Sequence, residues 1–480
     1  MKKSTIMLLC LAVLLPAISA CGDKTKPSAV NSDTAAGETP QTEETDALLT
    51  DSLPDKDFGG RTIQVLTAAE QWAAFYEAEQ TGNTVDDAVY LRNRTVEERF
   101  NVDIVHYMMN GYAAGMSDVK ATLSDSVMSG DTDFDLVTGG ATYATNLTTE
   151  KLLKDLYTLD YLDLSAPWWL SHVNQEAELG NTLLLGGGYY GTSCIANAIG
   201  LFFNKAFIDK YGLEEPYQKV LDGVWTWDQM TTMAKSVLTD TNGDGVYYYA
   251  DDELGMFATG GTFALSLAGL GANFSEKNED GSVTILMPDE RTVAVNERIV
   301  SFMAGEYVFD WDKEGFDMNP YDAFVSDHSL FIVSYLSNAS RYRDMKSGYG
   351  IVPLPKYDET QEEYVTFVVP DLAGVPYIVA DVEASAIILE ALQYESWKTV
   401  RPAYYDITLK DKYSSDSVSG QMLDILMENP TCAFTYIYGY LLGDDFIPYQ
   451  LSNEGFNTWM AARINAYQEK ANMLFESRSE

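Results

Sequence analysis

Histidine is almost missing from this chain. Only His106, His172 and His328 occur in 480 residues, far apart, so a histidine-rich zinc site would need nearly all of them to converge. No HExxH, no P-loop and no GxSxG appears, which removes the familiar signatures of zinc hydrolases, nucleotide hydrolases and nucleophile-elbow enzymes. Positive charge is scarce too: 31 Lys and Arg stand against 72 Asp and Glu, a formal net charge of −41. Phosphate backbones and anionic lipid are recognised by clustered Lys and Arg, so nucleic acid is not expected as a partner. The acidity otherwise reads as a solvated surface, and with 72 carboxylates chance pairs at glycosidase spacing carry no weight for hydrolysis. What the chain does have is an ordinary globular hydrophobic content, 46%, and ample aromatics, 31 of them Tyr. A single core stops growing at roughly 250–300 residues, so at least two domains are expected.

The N-terminus reads as an address. Lys2 and Lys3 precede an apolar run over 6–15, then Pro16 and Ile18-Ser19-Ala20-Cys21. The run is shorter than the about 20 residues a bilayer span requires and has the layout of a secretory signal. Small residues directly before a cysteine resemble the lipobox of bacterial lipoproteins. That resemblance implies a signal peptide over 1–20, cleavage before Cys21, a diacylglycerol on its thiol, and anchorage to the extracellular face of the membrane. Each buried CH₂ of such an anchor contributes about 0.8 kcal/mol. Residues 21–56 are rich in Pro, Ser, Thr, Ala and acids and read as a disordered tether. Cys10 leaves with the signal, and Cys194 and Cys432 remain as one bridge or two buried thiols.

From there strands and helices alternate. RTIQVLT (61–67) reads as a buried strand, 84–100 as an amphipathic helix, NVDIVHY (101–107) as a strand, 116–128 as a helix and FDLVT (134–138) as a third strand. This β-α-β-α-β order is the mark of an α/β fold with a parallel sheet, whose ligands bind beyond the carboxyl ends of strands. Gly186 to Gly191 satisfies GxGxxG, but an apolar, β-rich stretch follows rather than a helix, so it reads as a turn. Asp240, Asn242, Asp244, Val246 and Asp251 occupy loop positions 1, 3, 5, 7 and 12 of an EF-hand-like pattern, with Gly245 at position 6. They form a candidate site for a structural Ca²⁺, with Asp in place of the usual Glu at position 12; the rival reading is a plain acidic turn. No cofactor is otherwise required.

Four stretches in order, DFDLVTGG (133–140), YYGTSCIANAIGLFFNKAFIDKYGL (189–213), TWDQMTTMAKSVLTDTNGDG (226–245) and YGIVPLPKYDE (349–359), resemble the extracellular solute-binding proteins of ABC importers, in their maltose-binding-like, sugar-binding branch. A block at 388–413 is longer and more aromatic than that branch's pattern. The resemblance implies a periplasmic-binding-protein-like fold: two α/β lobes, joined by crossing hinge strands, with a cleft between them. The first lobe would take 57–200 with 353–400, the second 201–352 with 401–475, and the crossings would fall near 201–204 and 352–354. It further implies a monomeric, non-enzymatic receptor that passes a carbohydrate, an oligosaccharide by preference, to an ABC permease and its ATPase. The same fold holding a peptide or other small polar solute is the first alternative, and a secreted carbohydrate-active hydrolase the second.

Sugars present apolar C–H faces and rings of hydroxyls, which call for aromatic platforms and side chains that donate and accept. On the resemblance, the ligand contacts are Glu70, Gln71 and Trp72 after the first strand, Gly140 and Tyr143 after the third, Asn197, Ser334, Tyr335 and Asp371. Trp168 and Trp169 are read either as a cleft platform or as packed surface. Trp225 and Trp227 read as packing at a helix start, Trp397 and Trp459 as core, and Trp311 as surface or cleft rim.

Overall fold

The computed structural model describes residues 49–69, 75–258, 260–265, 267–311, 319–343, 345–405, 417–443 and 455–478. The expected signal peptide, Cys21 and the expected tether up to residue 48 lie outside them. From Thr50 onward the chain is one compact unit. That unit therefore takes in the last residues of the stretch 21–56 expected to be tether. Asp51 is buried and forms a two-pronged ion pair with Arg99, its Oδ1 lying 3.0 Å from Nη2. Phe58 follows, its ring 6.3 Å from that of Phe100 and its N–H donating to the Phe100 carbonyl at 2.9 Å. The acidic composition concealed this docking because its partner, Arg99, lies on a helix some 50 residues downstream.

Strand β1 (Arg61–Ala69) buries Ile63 and Val65 on one face and Leu66 and Ala68 on the other, as the interior of a parallel sheet requires. Helix α1 (Thr84–Phe100) starts where the Asn83 side chain accepts from the Val85 N–H at 3.0 Å. It stops at Asn101, whose left-handed φ of 51° lets its N–H reach the Glu97 carbonyl. It leads into β2 (Val102–Asn110), then α2 (Tyr112–Ser129) and β3 (Leu136–Gly140). β1 lies parallel to both neighbours, with Val65 beside His106 on one side and Leu136 on the other. The expected β-α-β-α-β unit is therefore present. A four-residue helix, α3 (Ala141–Ala144), follows β3 directly.

The chain then reaches β4 (Gly186–Gly187), a helical turn α4 (Ser193–Ala196) and β5 (Ile199–Asn204). Next come β6 (Leu254–Ala258), the hairpin β7 (Ser275–Lys277) and β8 (Val283–Ile285), and β9 (Val308–Asp310). Helix α5 (Pro320–Val325), β10 (Ser329–Tyr335), β11 (Tyr349–Val352), β12 (Thr366–Phe367) and β13 (Asp371–Gly374) complete the middle of the chain. Two five-stranded sheets result, ordered β2-β1-β3-β13-β4 and β11-β5-β10-β6-β9. β13 runs antiparallel between β3 and β4, so a strand from late in the chain completes the first sheet. In the second, β10 lies parallel to β6 and β6 to β9, while β5 runs antiparallel to β10 and to β11. The chain passes from the first sheet to the second through 188–198 and returns through 353–370. The fold is thus mixed α/β with two sheets.

After α6 (Val382–Glu395), which packs on α1, the chain divides its packing between the sheets. Helix Ser417–Glu428 packs on β11, with the Tyr217 hydroxyl 3.3 Å from Ser419 Oγ. Helix Phe434–Ile437 instead sits on α3, where Thr142 and Thr145 donate to the Tyr436 and Ile437 carbonyls, each at 3.2 Å. The expected placement of 401–475 in the second lobe alone gives way to a shared one. Cys194 and Cys432 are both free, buried thiols.

Trp168 and Trp169 are no platform. They are 3% and 2% exposed, and both indole N–H groups donate to one carboxylate, Glu390 on α6, at 2.6 and 2.9 Å. Burial pushes the Glu390 carboxyl up to about 7, against the opposing pull of the two indole bonds. A carboxyl raised in the folded state favours folding most below its ordinary 4.5, and that contribution is lost as pH rises through about 7. Glu390→Gln removes the titration but offers only one acceptor to two indole donors. The variant should therefore be the less stable protein at pH 5, with the gap narrowing by up to about 3 kcal/mol by pH 8. Urea melts at both pH values check this; a gap that does not narrow contradicts it.

Candidate functional site

The parallel strands of each sheet end on one edge, where side chains and loops are free of the ladder. On the first sheet β3 ends at Gly140, the register partner of Asp371 at the start of β13. Gly139 sits against α2, where a Cβ would come within 2.2 Å of the Met116 methyl, the movable end of that side chain. The Ala141 N–H donates to the Pro370 carbonyl at 3.0 Å, tying the start of α3 to the segment before β13. One turn on, Tyr143 is half-buried with its ring 5.6 Å from that of Tyr440, which is exposed.

Asp371 is buried beside the turn that leads to the second sheet. Its N–H donates to Ser193 Oγ at 2.7 Å. Burial raises its carboxyl to about 6, with the Ser193 hydroxyl pulling it down. Asn197, at the end of α4, donates through Nδ2 to the Val369 carbonyl at 3.2 Å. Ile199, two residues later, pairs with Tyr335 and Gly200 with Ser334. The carboxyl end of β10 is thereby joined to Asp371 through 193–199. Ser334 is buried and accepts from Asn338 Nδ2 at 2.9 Å, and Tyr335 is half-buried.

The structure therefore brings Gly140, Tyr143, Asn197, Ser334, Tyr335 and Asp371 to the edges where the two sheets are linked. Trp168 and Trp169 belong to the core, and Glu70, Gln71 and Trp72 lie outside the described residues. The sequence reading missed Tyr440, which stands almost 300 residues from Tyr143 and has no local signal. It also left out of the contact set the group at the end of β9: Trp311, whose N–H reaches the Ala258 carbonyl at 3.3 Å, and Tyr321 on α5, edge-on to it at 5.4 Å. Arg341 lies over Tyr321 with its guanidinium 5.0 Å from the ring. The position of Trp311 just after the strand-like Tyr307-Val308-Phe309 was the available signal. Trp225, Trp227 and Trp397 are buried, as expected.

Gly186 to Gly191 owes its glycines to packing. A Cβ on Gly188 would lie 2.3 Å from Gln393 Oε1, and one on Gly191 2.9 Å from the Phe75 ring. The acidic loop closes on itself. Asp240 accepts from the N–H groups of Gly243 and Gly245 at 2.6 and 2.9 Å, and Asp244 from that of Val246 at 2.8 Å. Asp251, meant for position 12, is exposed, while its neighbour Asp252 turns in to accept from Thr241 and Tyr248 N–H, each at 2.8 Å. Among the described residues no group of three or more His, Cys, Asp or Glu converges as a cation would require. The residues as they stand do not fit a calcium ion.

Comparison with solved structures finds the same fold at low identity. Maltose-bound MalE3 of T. maritima is 14% identical with a TM-score of 0.52, covering 86% of this chain and 100% of its own. The cyclic α-maltosyl-1,6-maltose binding protein of Arthrobacter globiformis is 15% identical with a TM-score of 0.53, covering 87% and 100%. A sugar transporter of Rhizobium etli in an open conformation is 13% identical with a TM-score of 0.55, covering 86% and 99%. No curated protein matches the sequence. The profile of the family described as bacterial extracellular solute-binding protein matches residues 111–382, more than half of the chain. This chain belongs to the bacterial extracellular solute-binding proteins.

Proposed function

We propose that the protein is a lipid-anchored, monomeric receptor that captures a carbohydrate between its two sheets and delivers it to an ABC permease. The observation that carries this is the edge itself. A buried carboxylate, Asp371, and the aromatic pair Tyr143 with Tyr440 stand where 188–198 and 353–370 link the sheets, and a second pair, Trp311 with Tyr321, follows β9, the outer strand of the second sheet. Aromatic rings cover the C–H faces of a sugar and the carboxylate accepts from its hydroxyls. The maltose- and cyclic-maltosyl-maltose-binding structures of the same fold support the choice of solute class. The receptor works without chemistry and without a cofactor, and Cys21 carries the anchor.

A melting-temperature screen of maltodextrins, cello-oligosaccharides and xylo-oligosaccharides tests this. One glycan class should raise the melting temperature, by about 2.7 kcal/mol of stabilisation at 100 times its Kd, and come back chemically unchanged. Stabilisation by peptides alone would overturn the solute class, and hydrolysis of the glycan would overturn the receptor. For the anchor, Cys21→Ser should move the protein from the membrane to the soluble fraction and abolish fatty-acid labelling; unaltered labelling contradicts it.

Asp371 adds a pH dependence. With its carboxyl at about 6, the folded protein is stabilised by this group most below the ordinary 3.8, and that contribution is lost as pH rises through about 6. The ionised form, paid for in unliganded stability, is the form that accepts two sugar hydroxyls. Affinity should therefore be stronger at pH 8 than at pH 5. Asp371→Asn should stabilise the free protein at pH 8 and weaken binding by about tenfold, since a hydrogen bond to a charged group contributes about 1.5–3 kcal/mol. Calorimetric titrations at the two pH values decide, and equal affinities would remove Asp371 from the site.

A further inference from the structure

Beneath the edge of the first sheet that carries Asp371 lies an arginine with no acidic partner among the described residues. Arg92 on α1 is 1% exposed. Its Nη1 donates to the Tyr190 carbonyl at 2.7 Å and to Ser396 Oγ at 2.9 Å, its Nη2 to the Phe75 carbonyl, and its Nε to Asn93 Oδ1 at 3.1 Å. The guanidinium also lies 5.0 Å from the Tyr190 ring. Burial lowers its pKa only to about 10, so it stays charged at neutral pH, and among the described residues no carboxylate pairs with it. A charge taken out of water without a counter-ion is tolerated only where oriented dipoles replace its hydration. Here those dipoles come from segments far apart in sequence. Phe75 follows β1, Tyr190 follows β4, and Ser396 opens a π-helical stretch, Ser396–Val400, that continues α6. Such bulges interrupt a helix at a cost and recur at functional sites.

Tyr190 is held at each of its polar atoms. Beyond the carbonyl, its N–H donates to Gln393 Oε1 at 2.7 Å and its hydroxyl lies 3.1 Å from His106 Nε2. The next residue is Gly191, packed so closely that a Cβ would lie 2.9 Å from the Phe75 ring and 3.2 Å from Asp371 Oδ2. Two residues further, Ser193 receives the Asp371 N–H. The arginine thus ties together Phe75 and Tyr190, whose surroundings meet the Asp371 carboxylate at Gly191, and does not itself bond that carboxylate.

We propose that Arg92 is a positioning residue for the solute site: its fork fixes Phe75 and Tyr190 against each other, and through Gly191 and Ser193 sets where Asp371 presents its carboxylate. The proposal rests on the receptor reading above. Its test does not need a known solute. Amide hydrogen exchange of the ligand-free protein should rise about tenfold at 75–80 and 188–195 in Arg92→Met, while β1 and the second sheet keep their protection. Arg92→Lys keeps the charge and loses the fork, so it should show the same local pattern at smaller amplitude and with a native melting temperature. Should Arg92→Met not fold, Arg92→Lys alone decides. Exchange that rises evenly over the first sheet, or stays native at 188–195, overturns the proposal and leaves Arg92 a core residue. With the glycan that gives the largest shift in the screen, affinity should fall about tenfold in Arg92→Lys. Binding that survives unchanged overturns the proposal as well, whereas a screen with no binding glycan sinks the receptor reading and leaves the exchange result standing.

Discussion

Everything at the site depends on the pairing of β13 with β3 and β4. β4 is two glycines long and pairs, in the first sheet, only with Leu372 and Ala373. Gly187 has its own bonds to Asn174 Oδ1 and the Leu170 N–H, but without the returning strand Gly186 would lose its partner in a buried place, and 188–198 would be less firmly anchored. With it, the segment leaves the first sheet beside Asp371 and enters the second beside Tyr335. The return also explains why the first sheet is not purely parallel. Its first three strands could form from adjacent sequence, but the last two needed the chain to visit the second sheet first.

Buried ionisable groups tell a consistent story about which parts are rigid. Glu390 is met by two indole N–H groups, Arg92 by two carbonyls, an amide oxygen and a hydroxyl, and the Asp371 carboxyl by the Ser193 hydroxyl. Among the described residues none has an opposite charge beside it, so its solvation comes from dipoles that must stay in place. Glu390 and Arg92 are fully enclosed and lock α6 and α1 to the first sheet. Asp371 is buried as well, and stands where β13 begins, beside the link to the second sheet.

What the sequence revealed followed the range of the interaction. The β-α-β-α-β unit was legible because its signals, β-branched runs and helical periodicity, are local. Gly140 and Asp371 could be placed because they stand at strand ends. Trp168 and Trp169 were ambiguous because an exposed sugar platform and a buried tryptophan look alike until Glu390, more than 200 residues away, is seen between their indoles. Asp51 read as tether because nothing near it in sequence is its partner. The acidic loop had the right residue types at the right spacing, yet the chain turned Asp252 inward instead of Asp251. One residue of offset decides a ligand set, and spacing alone does not fix it. Tyr440 was invisible for the same reason as Asp51: its meaning comes from Tyr143.

The two sheets are held together by links of unequal strength, and this bears on how a solute can close them. The hairpin β7–β8, inserted in the second half of the fold, touches the 174–182 stretch that precedes β4. The Gly180 N–H reaches the Gly281 carbonyl at 2.9 Å, and Lys277 lies 3.8 Å from Glu178 and bonds to the Gln175 carbonyl. These are polar contacts at a partly wet seam around a cavity of about 340 Å³, lined by Glu176, Ser275 and Phe434 among others. Contacts of this kind contribute little each and exchange readily with water. The enclosed knots at Arg92 and Glu390 do not. On the proposed function, a closure would trade contacts at this seam while the edge carrying Asp371 stayed with its sheet. Solute binding then shifts the balance by whatever it gains across the edges over what the seam gives up.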